Sequence, residues 1–159
     1  VHINHSKADL RYLDPETNEK YIPYVIEPSV GLDRLVLAIL TDAYSKEILE
    51  DEERLILKIH PFLAPYKVTI LPLVKKVHSK KAMEIYGELV KDFMCSYDES
   101  GSIGKRYRRS DAVGTPFAIT IDDDTLNNNT VTVRDRDTMK QTVMSIDEFK
   151  KFLKEKTDF

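Results

Sequence analysis

Thiol chemistry is almost missing from this sequence: Cys95 is the single cysteine, so no disulfide can form within the chain. That fits a reduced compartment, and a cytoplasmic location is the expectation it supports. With no base beside it in sequence, Cys95 reads as a small buried hydrophobe and not a nucleophile. Long apolar runs are missing too. Residues 35–40 form one of the longest, far short of the roughly 20 apolar residues a bilayer requires, so no membrane partner is expected. The first residues are polar, unlike a secretory leader. His2, His5, His60 and His78 do not fall at metal-ligand spacings, and no metal site is expected. A net charge of −3 excludes a surface coated in positive charge.

What is present is enough for a core. The 159 residues are 42% hydrophobic and 32% charged, the composition of a folded domain, or of one domain plus part of another. Charge is unevenly placed. Residues 42–53 hold six acids and one lysine, whereas residues 103–110 hold four bases and no acid. Nucleic acid, if bound, would meet a local patch, although two solvated faces would read the same way.

Residues 1–20 are polar and turn-rich, with nothing that starts a domain, and the chain is expected to be cut from something larger. Residues 21–26 read as an extended strand, and 32–39 as a buried helix after Pro28 and Gly31. The acidic stretch after Tyr44 reads as a surface excursion, and 55–59 as a short strand. Pro61 and Pro65 then mark a boundary. Beyond it, 67–71 is a strand. Ala82, Ile85, Tyr86, Leu89 and Phe93 make one helical face. Residues 94–97 follow as a strand, 101–114 as a short basic helix with its loops, and 117–121 as a half-exposed strand. Asp122, Asp123, Asp124 and Asn127, Asn128, Asn129 read as turn chemistry, ahead of strands at 130–134 and 139–144. Ser145 and Glu148 form a capping box that opens a final helix with Ile146, Phe149 and Leu153 on its buried stripe. This order predicts an α/β fold: a small mixed sheet, parallel first and antiparallel at its edge, flanked by helices.

The segment Glu27-Pro28-Ser29-Val30-Gly31-Leu32-Asp33-Arg34 carries the most chemistry. A glycine opening a helix allows backbone to approach a ligand, and an arginine one turn later offers a planar donor fork to phosphate or carboxylate. On the residues alone it is also an ordinary helix start with Arg34 at the surface. The segment resembles the third signature motif of class II aminoacyl-tRNA synthetases, in the form found in their glycyl branch. The likeness continues in order through His60-Pro61, Leu63-Ala64-Pro65, Lys67-Val68, Leu71-Pro72-Leu73, the run from Tyr97 to Arg109, and Thr130-Val131-Thr132-Val133-Arg134-Asp135-Arg136-Asp137. Val30 and Leu32 depart from the commoner alanine and valine by conservative swaps.

That resemblance implies a strand–helix remnant of the antiparallel catalytic domain over 1–62 and an anticodon-binding domain over 63–159. It implies that Glu27, Pro28, Ser29, Val30 and Gly31 belong to a glycine pocket, with Glu27 on the substrate ammonium and Ser29 limiting space around its α-carbon. Gly31, Leu32, Asp33 and Arg34 would belong to an ATP site. It further implies a homodimeric parent using glycine, ATP with Mg²⁺, and tRNA(Gly), in which this stretch alone would be inactive. Lys105, Arg106, Arg108 and Arg109 would face RNA, while Tyr107 stays open between stacking on a base and packing in the core. A sister synthetase for threonine, proline or histidine, or a non-enzymatic RNA-binding or polymerase-accessory protein, would share the fold; the Glu-Pro-Ser before Gly31 favours the glycyl branch.

Overall fold

Short turns and prolines govern the N-terminal part, as the computed structural model, which describes residues 2–49 and 52–158, makes plain. Of the expectations above, Glu50 and Asp51 in the acidic stretch lie outside the described residues, as do Val1 and Phe159. The chain divides into two compact units, 1–34 and 35–159. In the first, helix α1 (His2–Ser6) is followed by a two-residue pair, β1 (Tyr12–Leu13) antiparallel to β2 (Lys20–Tyr21). Asp14 closes the turn between them, its Oδ1 accepting the Glu16 amide at 2.8 Å. The strand expected over 21–26 does not form beyond Tyr21. Pro23 and Pro28 lack an amide to donate, and among the described residues no strand pairs with 22–31.

Helix α2 (Leu32–Ala43) begins where the sequence places it but runs four residues past the expected end. It is not buried: Leu35, Val36, Leu37 and Leu40 are all exposed, and Ala43 alone is covered. Its apolar pattern sets the helix, but none of the described residues layers over that face.

The acidic excursion is an antiparallel hairpin, β3 (Tyr44–Leu49) with β4 (Glu52–Leu57), in register from Tyr44↔Leu57 to Leu49↔Glu52. Strand β4 turns Arg54 and Ile56 inward, and the buried side continues through Ile59. Packing therefore reaches N-terminal of the boundary expected at 62/63.

The main sheet follows: β5 (Val68–Pro72), helix α3 (Lys75–Leu89), β6 (Cys95–Tyr97), helix α4 (Ile103–Ala112), β7 (Phe117–Ile121), helix α5 (Asp123–Asn128), β8 (Thr130–Asp135), β9 (Gln141–Ser145) and helix α6 (Ile146–Thr157). Strand order is β6-β5-β7-β8-β9, with β6, β5 and β7 parallel and the last two antiparallel. This is the mixed α/β sheet the sequence predicts. Val68, Ile70, Phe117, Ile119, Ile121, Val131 and Val133 pack with Ala82, Ile85 and Leu89 of α3 and Ile146, Phe149 and Leu153 of α6 in one core. Phe93 packs against that core from beyond the end of α3.

Two local readings change. Strand β7 is buried on both sides, not half-exposed, because it sits between β5 and β8 and α4 covers its second face, where Tyr107 Oη and Thr120 Oγ1 lie 2.6 Å apart. The Asp/Asn run is a helix, not a turn: Asp122 caps α5 by accepting the Thr125 amide, and Asn129 ends it in the left-handed region at φ 56°. The Ser145–Glu148 capping box forms as the sequence predicts. Among the described residues, no helix is long and apolar enough to cross a membrane.

Candidate nucleic-acid interface

Helix α4 is nearly all polar, yet it packs on the sheet, so its two sides do different work. On the inner side, Arg106 is buried. Its Nη1 donates to the Pro72 carbonyl, and its Nε and Nη2 donate to the Gly101 carbonyl at 3.1 and 2.7 Å. The expected RNA-facing role does not hold for Arg106, because its donors are spent tying two loops together. Tyr107 also turns inward, bonded to Thr120 and covered by the Arg134 guanidinium, whose carbon is 4.7 Å from the ring centroid.

Lys105, Arg108 and Arg109 occupy the exposed side. Arg109 reaches Asp98 at 2.6 Å and the Ser100 carbonyl at 2.5 Å, and Arg108 pairs with Glu52 of β4. Exposed ion pairs of this kind contribute about 0–1 kcal/mol, so a phosphate can displace them at little cost. Three cations along one exposed helical side thus suit a polyanion.

Where the parallel strands end, the loop after β5 leads into α3 and the loop after β6 leads into α4. With strand order β6-β5-β7 the chain leaves β5 towards β6 and leaves β7 towards β8, so the carboxyl ends of β5 and β7 flank the point where ligands gather in open α/β sheets. Glu99 lies in the loop after β6. Its carboxylate accepts from Lys75 Nζ at 2.5 Å, and from Tyr97 Oη and Ser79 Oγ at 2.8 Å each. Those three donors hold its pKa down to about 2, Lys75 foremost. An ionised, oriented carboxylate can accept from the amino group of an unstacked base. Leu73, Val74 and Val77 lie exposed beside it as apolar surface. On α3, His78 is buried; its Nδ1 accepts the Val74 amide at 3.0 Å, so the neutral ring carries its proton on Nε2, 3.1 Å from Asp123 Oδ1.

Behind the basic side lies a buried polar cluster. Asp111 is 1% exposed and receives Arg134 in two-pronged fashion at 2.9 and 3.2 Å, while Arg54 adds a bond at 2.9 Å from Nε. Arg136 donates to the Ile59 and Gly114 carbonyls at 2.9 and 2.8 Å and grips Asp137.

The segment 27–34 is different in kind. Glu27, Pro28, Ser29, Val30, Gly31, Leu32, Asp33 and Arg34 are all exposed. Gly31 makes no close approach: a Cβ built there would meet an Arg34 side-chain carbon at an ordinary 3.8 Å. Arg34 has the donor fork a phosphate needs, but no enclosing wall of described residues accompanies it. Among the described residues, no group of three or more His, Cys, Asp or Glu side chains could hold a metal ion, so no step is assigned to Mg²⁺ on this chain.

Glu99, Lys75, Ser79, Arg54 and Asp111 carried no sequence signal as site residues. Ser79 and Glu99 are 20 residues apart in sequence and Arg54 and Asp111 are 57 apart, and only folding brings them together.

Comparison with known proteins matches residues 67–156 to the family model for the anticodon binding domain. The chain is 58% identical over 158 residues to the glycine–tRNA ligase of Bacillus anthracis, covering 99% of this chain and 34% of that protein. It is 60% identical over 159 residues to the glycine–tRNA ligase of Clostridium kluyveri strain NBRC 12016, with the same coverage. The chain thus spans about a third of the length of the curated relatives it matches. Its fold resembles the RNA binding domain of threonyl-tRNA synthetase from Cryptosporidium parvum Iowa II, with a TM-score of 0.58 and 24% identity, over 62% of this chain and 25% of that one. The resemblance carried by the motifs is therefore shown along the whole chain.

Proposed function

Since the chain belongs to the anticodon-binding domain family, we propose that it is the tRNA-reading portion of a glycine–tRNA ligase, joined to the last stretch of that enzyme's catalytic domain. One observation carries the reading: Lys105, Arg108 and Arg109 line the exposed side of α4, which starts four residues after Glu99. Phosphates of the anticodon loop meet the three cations by charge, and bases turned out of the loop reach the strand ends, where Glu99 accepts from amino groups. Arg106 serves this site from within by fixing the loops at Pro72 and Gly101.

The parent enzyme, a homodimer acting in the cytoplasm, activates glycine with ATP and transfers it to the 3′ end of its tRNA. Residues 1–62 descend from its catalytic domain and 63–159 from the anticodon-binding domain. Glu27 to Gly31 line the glycine pocket, with the Glu27 carboxylate on the ammonium and Ser29 near the α-carbon. Gly31 to Arg34 meet ATP, the Arg34 fork engaging phosphate oxygens. Such activation needs orientation and charge stabilisation more than covalent help from the protein.

The test replaces Lys105, Arg108 and Arg109 with glutamine and leaves Arg106 in place. Affinity for a transcribed glycine tRNA should fall, and the log–log salt slope should flatten by about 0.7–0.9 for each phosphate no longer engaged. A control tRNA with altered anticodon bases should bind wild-type protein more weakly than the native sequence. Equal binding of both RNAs by wild type sinks the reading role, and an unchanged slope in the triple variant removes the patch.

A further inference from the structure

Asp111 sits on the inner side of α4, and its two carboxylate oxygens are divided between elements that the sequence keeps far apart. Arg134 on β8 takes both oxygens, while Arg54 on β4 takes Oδ2 from Nε at 2.9 Å and Nη2 at 2.8 Å. Arg54 spends its remaining donors on Glu47 Oε2 at 2.9 Å and the Arg136 carbonyl at 2.5 Å. It is 3% exposed, so water does not compete for these bonds. Two residues earlier on the same strand, Glu52 pairs with Arg108 on the outer side of α4. The hairpin therefore grips the helix on both sides. At the end of α4, Gly114 lies so close to Ile59 and Leu57 that an added Cβ would fall 2.9 Å from Ile59 Cδ1.

We propose that Arg54 is a positioning residue for the RNA interface: from the β3–β4 hairpin it sets, through Asp111, the placement of the helix that presents Lys105, Arg108 and Arg109. This rests on the RNA-reading role above. Phosphates are fixed along a backbone of set spacing, so several cations satisfy them together only when the helix carrying them is held to a fraction of an ångström. A fold-only role is the alternative, and the bonding separates the two. Without Arg54, Asp111 keeps both bonds to Arg134, so the carboxylate stays paired and the core persists. What goes is the inner attachment of the hairpin to α4.

The experiment measures affinity for a transcribed glycine tRNA against salt concentration. It uses wild type, Arg54→Gln, Arg54→Lys, Arg109→Gln and the Arg54→Gln/Arg109→Gln double variant, at a temperature where circular dichroism shows them folded. Arg54→Gln is expected to bind about tenfold more weakly, as a misplaced set of binding groups does, and to show a flatter salt slope although it touches no phosphate. Arg54→Lys, which keeps the charge and one donor, should recover part of both. The double variant should lose less than the product of the single losses, because a displaced helix no longer delivers Arg109 to its phosphate. Wild-type affinity and slope in Arg54→Gln beside a weakened Arg109→Gln would overturn the positioning role, as would losses that simply multiply. If Arg54→Gln does not fold, Arg54→Lys decides by the same slope: a wild-type slope overturns the proposal and a flattened one supports it. Absence of tRNA binding by wild type, by contrast, strikes the RNA reading itself and takes the positioning role with it.

Discussion

Residues 2–34 and 68–121 both contain dense apolar stretches, yet they end in opposite environments. Tyr21, Ile22, Tyr24, Val25 and Ile26 are all exposed, Tyr24 fully so, whereas every residue of β5 and β7 is buried. Hydrophobicity alone does not account for the difference. Strand β5 has hydrogen-bonded neighbours on both edges and a helix over each face. Residues 22–31 pair with no strand among the described residues, and two of them are prolines. An apolar stretch becomes core only where its backbone is also satisfied, since an unpaired buried amide costs as much as burial of a side chain returns. The arginines divide in the same way: Arg54, Arg106, Arg134 and Arg136 are buried and bonded within the fold, while Arg34, Arg108 and Arg109 stay at the surface.

The contrast is most sharply tested at its buried extreme. Asp111→Ala would leave Arg54 and Arg134 buried without their shared counter-charge, and should cost about 3–5 kcal/mol. Chemical denaturation would measure it, and a loss under about 1 kcal/mol would show that water enters the cluster freely. Next comes Gly114→Ala. Gly114 has φ +81°, and a Cβ added there would lie 3.1 Å from the Leu57 carbonyl oxygen. The substitution should cost about 1–3 kcal/mol, read from the same denaturation curves.

A smaller effect belongs to Glu99. Its pKa falls from 4.5 to about 2 in the folded protein, so it stabilises the fold above the ordinary carboxylate pKa. That contribution should disappear as pH falls from about 4.5 towards 2. The difference in melting temperature between wild type and Glu99→Gln should shrink over that window. A difference constant with pH would mean that Lys75, Tyr97 and Ser79 do not favour the charged form. The smallest stability effect is expected in the exposed region: Arg34→Ala should shift stability by no more than about 0.5 kcal/mol. In the full-length ligase proposed above, the same change should cost about 2–4 kcal/mol of transition-state stabilisation in glycine-dependent pyrophosphate exchange. A large stability loss would place Arg34 in a packed interface, and unchanged exchange would remove it from ATP.

Much of the sheet is legible in the sequence because it obeys local rules. The strands at 67–71 and 130–134, the helical face of Ala82, Ile85 and Leu89, and the Ser145–Glu148 capping box are each set by residues within a few positions of one another. The strand expected at 21–26 fails because it needs a partner that local sequence does not supply. The residues of the Asp/Asn run suit both turns and helix caps. The choice falls to Asp122 bonding Thr125 while Thr132 Oγ1 donates back to Asp122. The basic segment 103–110 is visible as a cluster of charge. Which of its arginines faces outward is not.

Sequence by itself determined the periodicities, the Ser145–Glu148 cap, the order of the strands and of the helices α3, α4 and α6 from residue 67 onward, and the colinear motifs shared with glycine–tRNA ligases. These depend on side-chain chemistry repeated at short range, and the backbone hydrogen bonds they direct are local. Tertiary structure alone decided that Arg106 belongs to the interior, that Glu99 collects three donors at the strand ends, and that Asp111 joins β4, α4 and β8. A charged side chain carries no mark of its own destination. Whether it meets water, a phosphate or a buried counter-charge is fixed by which distant segments the sheet brings within about 3 Å of it.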